Sequence, residues 1–338
     1  MMIEARAPTR IDFAGGTLDI FPLYLFEGFG ITLNASINLY ATARVKRRND
    51  ECIEVVSHDL NRRERFSSLD EITLEGPLGL IKNVVKNLRP NTGLHLETFS
   101  LAPAKSGLGN SSSLAIATAG AIARMTRINL SQRKLVELAY NSELQMIRVP
   151  GGKQDYYGAI YGGIKAIWLK PDGESVEKIS LHKGFLSELE KNLILVYVGQ
   201  SHSSPKMNWR MFKNFVEKKN EAVCAMRAIK QVALEMRDAF LEEDLDKIGR
   251  LLNLEWSERK KLSPRVETPR MKEIISACMK VGGFAAKTCG AGGGGCVIIL
   301  SHDGRTRGIE SEVVKRAGAI LKYKIVERGM TIHTFKSD

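Results

Sequence analysis

The chain has 338 residues, 43% hydrophobic and 26% charged, the balance of a globular protein with one large core or two joined ones. No apolar run approaches about eighteen residues, no apolar leader follows Met1, and the five cysteines lack C-x-x-C or zinc-like spacing. The net charge of +12 favours anionic partners, but basic residues are scattered in pairs such as Arg62-Arg63 and Lys260-Lys261, so neither nucleic acid nor a membrane surface is expected.

In chain order, residues 3–14 read as an extended segment interrupted by Pro8 and stopped by Gly15-Gly16. Residues 30–45 alternate apolar and small polar side chains, as a long strand does. Further strands are predicted over 52–57 and 63–67, a helix over 79–88 ending before Arg89-Pro90, and a strand over 94–101. Two helices follow, about 111–125 and 131–147, the second opened by Ser131 as N-cap. Val149-Pro150-Gly151-Gly152 breaks the helical pattern and places Asp155 in an irregular loop. Strands over 163–169 and 192–198 flank a polar turn region. Residues 204–261 are largely helical, with Val223, Met226, Ile229, Val232 and Met236 forming a core stripe, and 267–281 is another helix. Strands over 284–287, 296–300, 322–326 and 331–335, with a helix over 306–321, close the chain. A composition shift near 181–191 divides it into two α+β halves, 1–185 and 186–338.

The stretch Pro103-Ala104-Lys105-Ser106-Gly107-Leu108-Gly109-Asn110-Ser111-Ser112-Ser113 leads from a strand into a small-residue helical run. A helix start has backbone N–H groups without intrahelical partners, and its macrodipole is positive there. Two glycines let the backbone approach an anion, and the serines can cap the helix or hold a metal. A phosphate cradle and a capped helix after a tight turn both satisfy the pattern, and the loop alone does not choose between them. It is not a Walker P-loop, since G-x-x-x-x-G-K-[ST] occurs nowhere.

Two further glycine-bearing stretches share an order with this loop: Ala7-Pro8-Thr9-Arg10-Ile11-Asp12-Phe13-Ala14-Gly15-Gly16-Thr17-Leu18-Asp19 and Lys287-Thr288-Cys289-Gly290-Ala291-Gly292-Gly293-Gly294-Gly295. Together, and over nearly the whole chain, they resemble the motifs of the GHMP small-molecule kinases, which include galactokinases, homoserine kinases, mevalonate kinases and phosphomevalonate kinases. Within that family the chain is most similar to sugar-1-kinases of the D-glycero-D-manno-heptose 7-phosphate kinase type. That closer resemblance rests on Leu33-Asn34-Ala35-Ser36-Ile37-Asn38-Leu39-Tyr40-Ala41, on Gly151-Gly152-Lys153-Gln154-Asp155-Tyr156-Tyr157 and on the last glycine run.

The resemblance implies a two-domain α+β fold. Its N-terminal half would be like ribosomal protein S5 domain 2 and its C-terminal half a ferredoxin-like α/β sandwich, with ATP and acceptor in the cleft between. It implies an ATP- and Mg2+-dependent cytoplasmic kinase acting on a hydroxyl, at the anomeric carbon, of a sugar or sugar phosphate, and it leaves a homodimer open. Reduced cysteines suit that compartment.

Phosphoryl transfer needs a cradle for the nucleotide phosphates, a bridging metal, a positioned hydroxyl and compensation of developing charge. By resemblance, Lys105, Ser106, Gly107, Leu108, Gly109, Asn110, Ser111 and Ser112 form the cradle. Ser111 and Glu143 would hold magnesium, which keeps several waters and needs few protein oxygens. Without the match, Glu143 reads as an exposed helix carboxylate. Asp155 matches the catalytic aspartate that accepts or orients the proton of the acceptor hydroxyl, and Arg10 the permanently charged group beside it. Asp19 matches the aspartate that holds sugar hydroxyls, with Gly16, Gly151, Gly152, Gly292 and Gly293 shaping the acceptor pocket.

Departures bear on the acceptor. Ala14-Gly15-Gly16 replaces the Gly-Glu-His of galactokinases and mevalonate kinases, which argues against galactose or mevalonate. Leu18 interrupts the Gly-Gly-Gly-Thr-Asp of the heptose kinases and would present an apolar surface near the sugar. Asn110 stands where serine is usual, and its side chain can still cap the helix. His202 stands where the heptose kinases carry arginine, and reads either as an anion contact or as a surface-loop histidine. Another acceptor (a different hexose, a polyol or an isoprenoid alcohol) and a catalytically silent nucleotide-binding regulator remain as other readings. The joint presence of Arg10, Ser111, Glu143 and Asp155 argues against the second.

Overall fold

A long antiparallel pair, β1 (Met2–Ala14) and β2 (Gly30–Arg47), joined through the short helix α1 (Leu23–Phe26), is the spine of the first sheet. The computed structural model describes residues 1–201, 204–302 and 304–336. After β2 come β3 (Ile53–Ser57), β4 (Arg62–Phe66), α2 (Gly79–Leu88), β5 (Leu94–Ser100), α3 (Asn110–Thr126), α4 (Gln132–Ile147), α5 (Gln154–Tyr161), β6 (Ile164–Lys170) and β7 (Gly173–Ile179). The chain continues through α6 (Lys183–Asn192), β8 (Leu193–Tyr197), α7 (Ser204–Val216), α8 (Asn220–Leu241), α9 (Leu245–Leu262) and α10 (Pro269–Lys280). It ends with β9 (Gly283–Thr288), β10 (Cys296–Ser301), α11 (Thr306–Lys315), β11 (Ala319–Ile320) and β12 (Thr331–Phe335).

The first sheet has the order β12-β1-β2-β5-β3-β4, and β2 forks, its early residues pairing with β6 and its later ones with β5; β6 pairs on to β7. The second sheet is antiparallel, β11-β8-β10-β9. The C-terminal strand β12 returns to the first sheet beside β1.

Pro8 has no N–H to give a ladder, and beside it the β1–β2 register jumps, from Pro8↔Tyr40 to Thr9↔Ile37. The jump reverses which residues face the covering helices. Before it, Ile3, Ala5 and Ala7 of β1 and Ala43 and Val45 of β2 join α2 and α3 in one apolar cluster. After it, Ile11, Phe13, Leu33 and Ala35 point to the opposite side. There they pack with Met236 and Phe240 of α8, Leu252 of α9 and Ile298 of β10. This second cluster joins both sheets in one core.

Several predicted boundaries move. Residues 170–173, Lys170-Pro171-Asp172-Gly173, make a hairpin turn into β7, and α6 follows, where a polar turn region was expected. The helix expected over 306–321 stops at Lys315, ahead of β11. Residues 322–326 form no strand; Ile325 makes an isolated bridge to Ile37, and Lys324 N donates to Asn38 Oδ1 in the register jump. All five cysteines are unpaired, and no described helix is long and apolar enough to cross a membrane.

Phe13 is fully buried, with its ring 4.8 Å from Phe240 in an edge-on pair. Phe13→Ala is therefore expected to destabilise the protein by about 3–5 kcal/mol, read as a lower midpoint in urea denaturation.

Candidate active site

Between β5 and α3 the chain turns through three left-handed residues, Lys105 (φ 56°), Gly107 (φ 75°) and Gly109 (φ 75°). A Cβ on Gly107 would lie 2.5 Å from Cys289 O, and one on Gly109 would lie 3.0 Å from Asp155 Cβ, so both positions require glycine. The last glycine run holds this loop from behind. Cys296 N donates to Ser106 O at 2.7 Å, and Gly295 comes so close that a Cβ there would sit 2.6 Å from the same oxygen.

Gly109 is the N-cap of α3 and brings no side chain to it. Asn110, expected as a cap, is the first helical residue, because the left-handed turn at Gly109 already ends the loop. Its Oδ1 and Ser106 Oγ are buried polar atoms without a hydrogen-bond partner among the described residues. Asn110, Ser111 and Ser112 line a cleft of about 570 Å³, the size of a small-molecule site, and present to it the positive end of the α3 dipole. Leu108 does not line the cleft. Its side chain is buried in the shared core, and its carbonyl accepts from Arg10 N at 3.0 Å.

Glu143 faces the cleft from α4, so it is not an exposed helix carboxylate. Ser111 Oγ donates to its Oε1 at 2.8 Å, and Ser112 Oγ (3.2 Å) and the Tyr156 hydroxyl donate to Oε2. Burial raises its carboxyl above the usual range, in spite of these bonds. A hydroxyl and a carboxylate are hard oxygen donors, the set that suits a magnesium ion.

Asp155 is the second residue of α5, not part of an irregular loop: the break at Gly151-Gly152 ends at Lys153, which is the N-cap. Arg10 is buried beside it, with Nε 2.7 Å and Nη2 2.5 Å from Asp155 Oδ1, and Nη1 donates to Gly107 O at 2.5 Å. Burial opposes the guanidinium charge, but Asp155 and Asp12 outweigh it and raise the Arg10 pKa further. One arginine thus ties the loop before α3 to the carboxylate.

At the other end of the cleft, Asp19 is buried and accepts from Thr17 N (3.0 Å) and Gln154 N (2.9 Å). Burial pushes its carboxyl up to about 6. Gly152 packs so closely that a Cβ would lie 2.2 Å from Asp19 Oδ2; Gly16 and Gly151 line the cleft nearby. Gly292 and Gly293 do not reach it. A Cβ on Gly292 would meet Val266 O at 2.6 Å, and Gly293 N donates to that oxygen, so their role is backbone packing; Gly290 and Ala291 form the cleft wall instead. Leu18 is buried against the second sheet's core and presents no surface to the cleft. His202 lies outside the described residues.

The residue that sequence reasoning missed is Arg259 of α9, which lines the cleft while almost wholly buried. Its Nη2 donates to Gly16 O at 2.9 Å and its Nη1 to Thr17 Oγ1 at 3.3 Å, fixing a threonine held at φ 80°. Glu255, one turn earlier, accepts from its Nε at 2.9 Å. Lys287 of β9 completes the set, 3.0 Å from Asp12 Oδ2 and 3.6 Å from Glu255 Oε2. The signal was periodicity: Leu252, Glu255, Arg259 and Leu262 share the buried stripe of α9.

The chain matches the GHMP kinases N terminal domain over residues 79–163 and the GHMP kinases C terminal domain over residues 236–319. It belongs to the GHMP kinase family. It is similar to the D-glycero-alpha-D-manno-heptose 7-phosphate kinase of Campylobacter jejuni, 26% identical over 334 residues, which is 97% of this chain and 98% of that one. To the mevalonate kinase of Pyrococcus furiosus it is 24% identical, over 88% of this chain and 90% of that one. Among solved structures, a D-glycero-D-manno-heptose 1-phosphate kinase from Bacteroides thetaiotaomicron superposes with a TM-score of 0.82 at 25% identity, covering 99% and 100% of the two chains.

In this GHMP kinase the buried charges Asp12, Glu255, Arg259 and Lys287 balance two against two. Arg259→Met leaves a buried carboxylate uncompensated and is expected to cost about 3–5 kcal/mol in urea denaturation. Adding Glu255→Leu, which restores the balance, is expected to recover part of that loss.

Proposed function

We propose that this GHMP kinase transfers the γ-phosphoryl group of ATP to a hydroxyl of a sugar or sugar phosphate, at the anomeric carbon, with D-glycero-D-manno-heptose 7-phosphate as the first acceptor to test. The observation that carries the reading is the close approach of Asp155 to Gly109. The carboxylate that would face the acceptor hydroxyl touches the N-cap of the helix that would hold the phosphates.

In this reading the backbone from Ser106 to Ser112 cradles the phosphates at the positive end of α3. Ser111 and Glu143 would hold magnesium, which when bound neutralises charge on the phosphate oxygens. Asp155 orients the acceptor hydroxyl and takes its proton as the bond to phosphorus forms; a loose transition state asks for little deprotonation beforehand. Arg10, ion-paired with Asp155, lies next to the transferring group, where negative charge spreads. Asp19, held by two backbone amides, accepts hydrogen bonds from sugar hydroxyls. The polar groups around it, Gln154, Asn208 and the Gly151-Gly152 backbone, favour a polyhydroxylated acceptor over an isoprenoid alcohol.

ADP release measured across a panel of sugars, sugar phosphates and mevalonate tests the acceptor class; turnover with mevalonate alone would overturn it. Asp155→Asn is expected to keep ATP binding while turnover falls roughly 10²- to 10⁴-fold. Unchanged turnover would remove Asp155 from the chemistry. Because the Asp19 carboxyl is raised to about 6, it is ionised above that pH and takes up a proton below it. Acceptor kcat/KM is therefore expected to fall as pH drops through about 6, and Asp19→Asn to abolish that limb.

A further inference from the structure

We propose that Lys165 is a positioning residue: through Asn34 and Ser36 its ammonium clamps α5 to the first sheet and so holds Asp155 against Arg10 and the cradle loop. The inference rests on the kinase reading above for its consequence in turnover, and on contacts alone for the clamp.

Lys165 is wholly buried on β6, directly across from Asn34 of β2, and among the described residues no carboxylate is hydrogen-bonded to it. Its Nζ donates to Asn34 Oδ1 (2.8 Å), Ser36 Oγ (2.9 Å) and Gly163 O (2.9 Å). Two of these partners pass the contact on to α5. Asn34 Nδ2 donates to Gln154 O at 3.3 Å, in the first turn, and Ser36 Oγ donates to Gly158 O at 2.6 Å, one turn on. Asp155 sits between those two carbonyls. Gly158 also rests on Arg10, its missing Cβ only 3.1 Å from the Arg10 Cβ, so any lift of α5 separates the Arg10–Asp155 pair. A buried ammonium persists where hydrogen bonds hold it, and here all three of its donors are taken by uncharged acceptors.

Three acceptors use all three N–H groups of an ammonium; a neutral amine has two. On losing its proton, Nζ would offer a lone pair, which the Ser36 hydroxyl can meet only by turning away from Gly158 O. Burial pushes the Lys165 ammonium down to about 7. Lys178, across the pair on β7, and Arg10 on β1 push the same way, and Glu327 opposes them. The clamp is thus complete below that pH and loosened above it.

The test compares the whole chain with Lys165→Met and Ser36→Ala. In the parent, kcat is expected to fall on an alkaline limb near pH 7. Lys165→Met should lower kcat roughly 10- to 100-fold at pH 6.5 or thereabouts, leave both KM values within about threefold, and lose that limb. Ser36→Ala keeps the lysine but cuts the tie to Gly158, and should lower kcat with both KM values retained. Hydrogen exchange of residues 154–161, measured without substrate, should quicken in both variants. Should Lys165→Met not fold, Ser36→Ala decides the matter by the same two readouts. Parent-like exchange across 154–161, or parent-like kcat with the alkaline limb intact, would overturn the clamp. ADP release from no acceptor by the parent would instead sink the kinase reading, while exchange would still judge the clamp.

Discussion

Pro8 cannot donate a ladder hydrogen bond, and the register jump beside it decides which face of the first sheet carries chemistry. A strand that alternates strictly would keep the apolar pattern of Ile3, Ala5 and Ala7 pointing at the helices throughout. The jump reverses it, so Arg10, Asn34 and Ser36 meet α5 while Ile11 and Phe13 turn to the core shared with the second sheet. A β-bulge here re-aims side chains, and the polar set it exposes to α5 is the set that places Asp155.

Burying polar side chains on a sheet face is unfavourable unless each finds partners. Two networks supply most of them. Asn34 and Ser36, which accept from Lys165, donate to the Gln154 and Gly158 carbonyls of α5. Lys287 pairs with Asp12, and Arg259 pairs with Glu255 and donates to the loop Gly16-Thr17. Asp12 Oδ1 and Glu255 Oε2 have no hydrogen-bond partner among the described residues. The second network crosses between the halves, since Asp12 is on β1 while the others come from α9 and β9. Its charges carry a desolvation cost that an apolar replacement would avoid. What the charged version provides is direction. An apolar contact could hold α9 against β1, but it could not fix the carbonyl of Gly16 and the hydroxyl of Thr17 at the cleft.

The parts of the site legible in sequence were those carried by local rules or by motif order. Ser131 caps α4 as its residue type dictates, and the glycines at 107 and 109 occupy left-handed turns. What escaped was set by contacts distant in sequence. Gly290 to Gly295 look alike as a run, yet Gly295 is required by Ser106, Gly292 by Val266, and Gly290 alone with Ala291 reaches the cleft. Asp155 followed two glycines and seemed to belong to a loop, because no capping side chain announces α5; tertiary bonds from Asn34 and Ser36 hold that helix instead. Glu255 and Arg259, four residues apart on α9, belong to no motif, and only their burial marks them.

The two ends of the cleft are built from different materials, and this bears on how such a site changes its acceptor. The proposed phosphate cradle is largely backbone: amides of a helix start, two obligatory glycines and a supporting glycine run. With Gly109 as the N-cap, no side chain at 110 is called on to cap α3. The proposed acceptor end relies on side chains that line the cleft, Asp19, Gln154 and Asn208, with Arg259 bracing Gly16 and Thr17. That end is tied to α5, since Arg259 holds Thr17, the Thr17 amide donates to Asp19, and Asp19 accepts from the amide of Gln154 beside Asp155. Asn34, Ser36 and Lys165, beneath α5, line no part of the cleft, and under the proposed clamp a substitution there acts through the placement of Asp155.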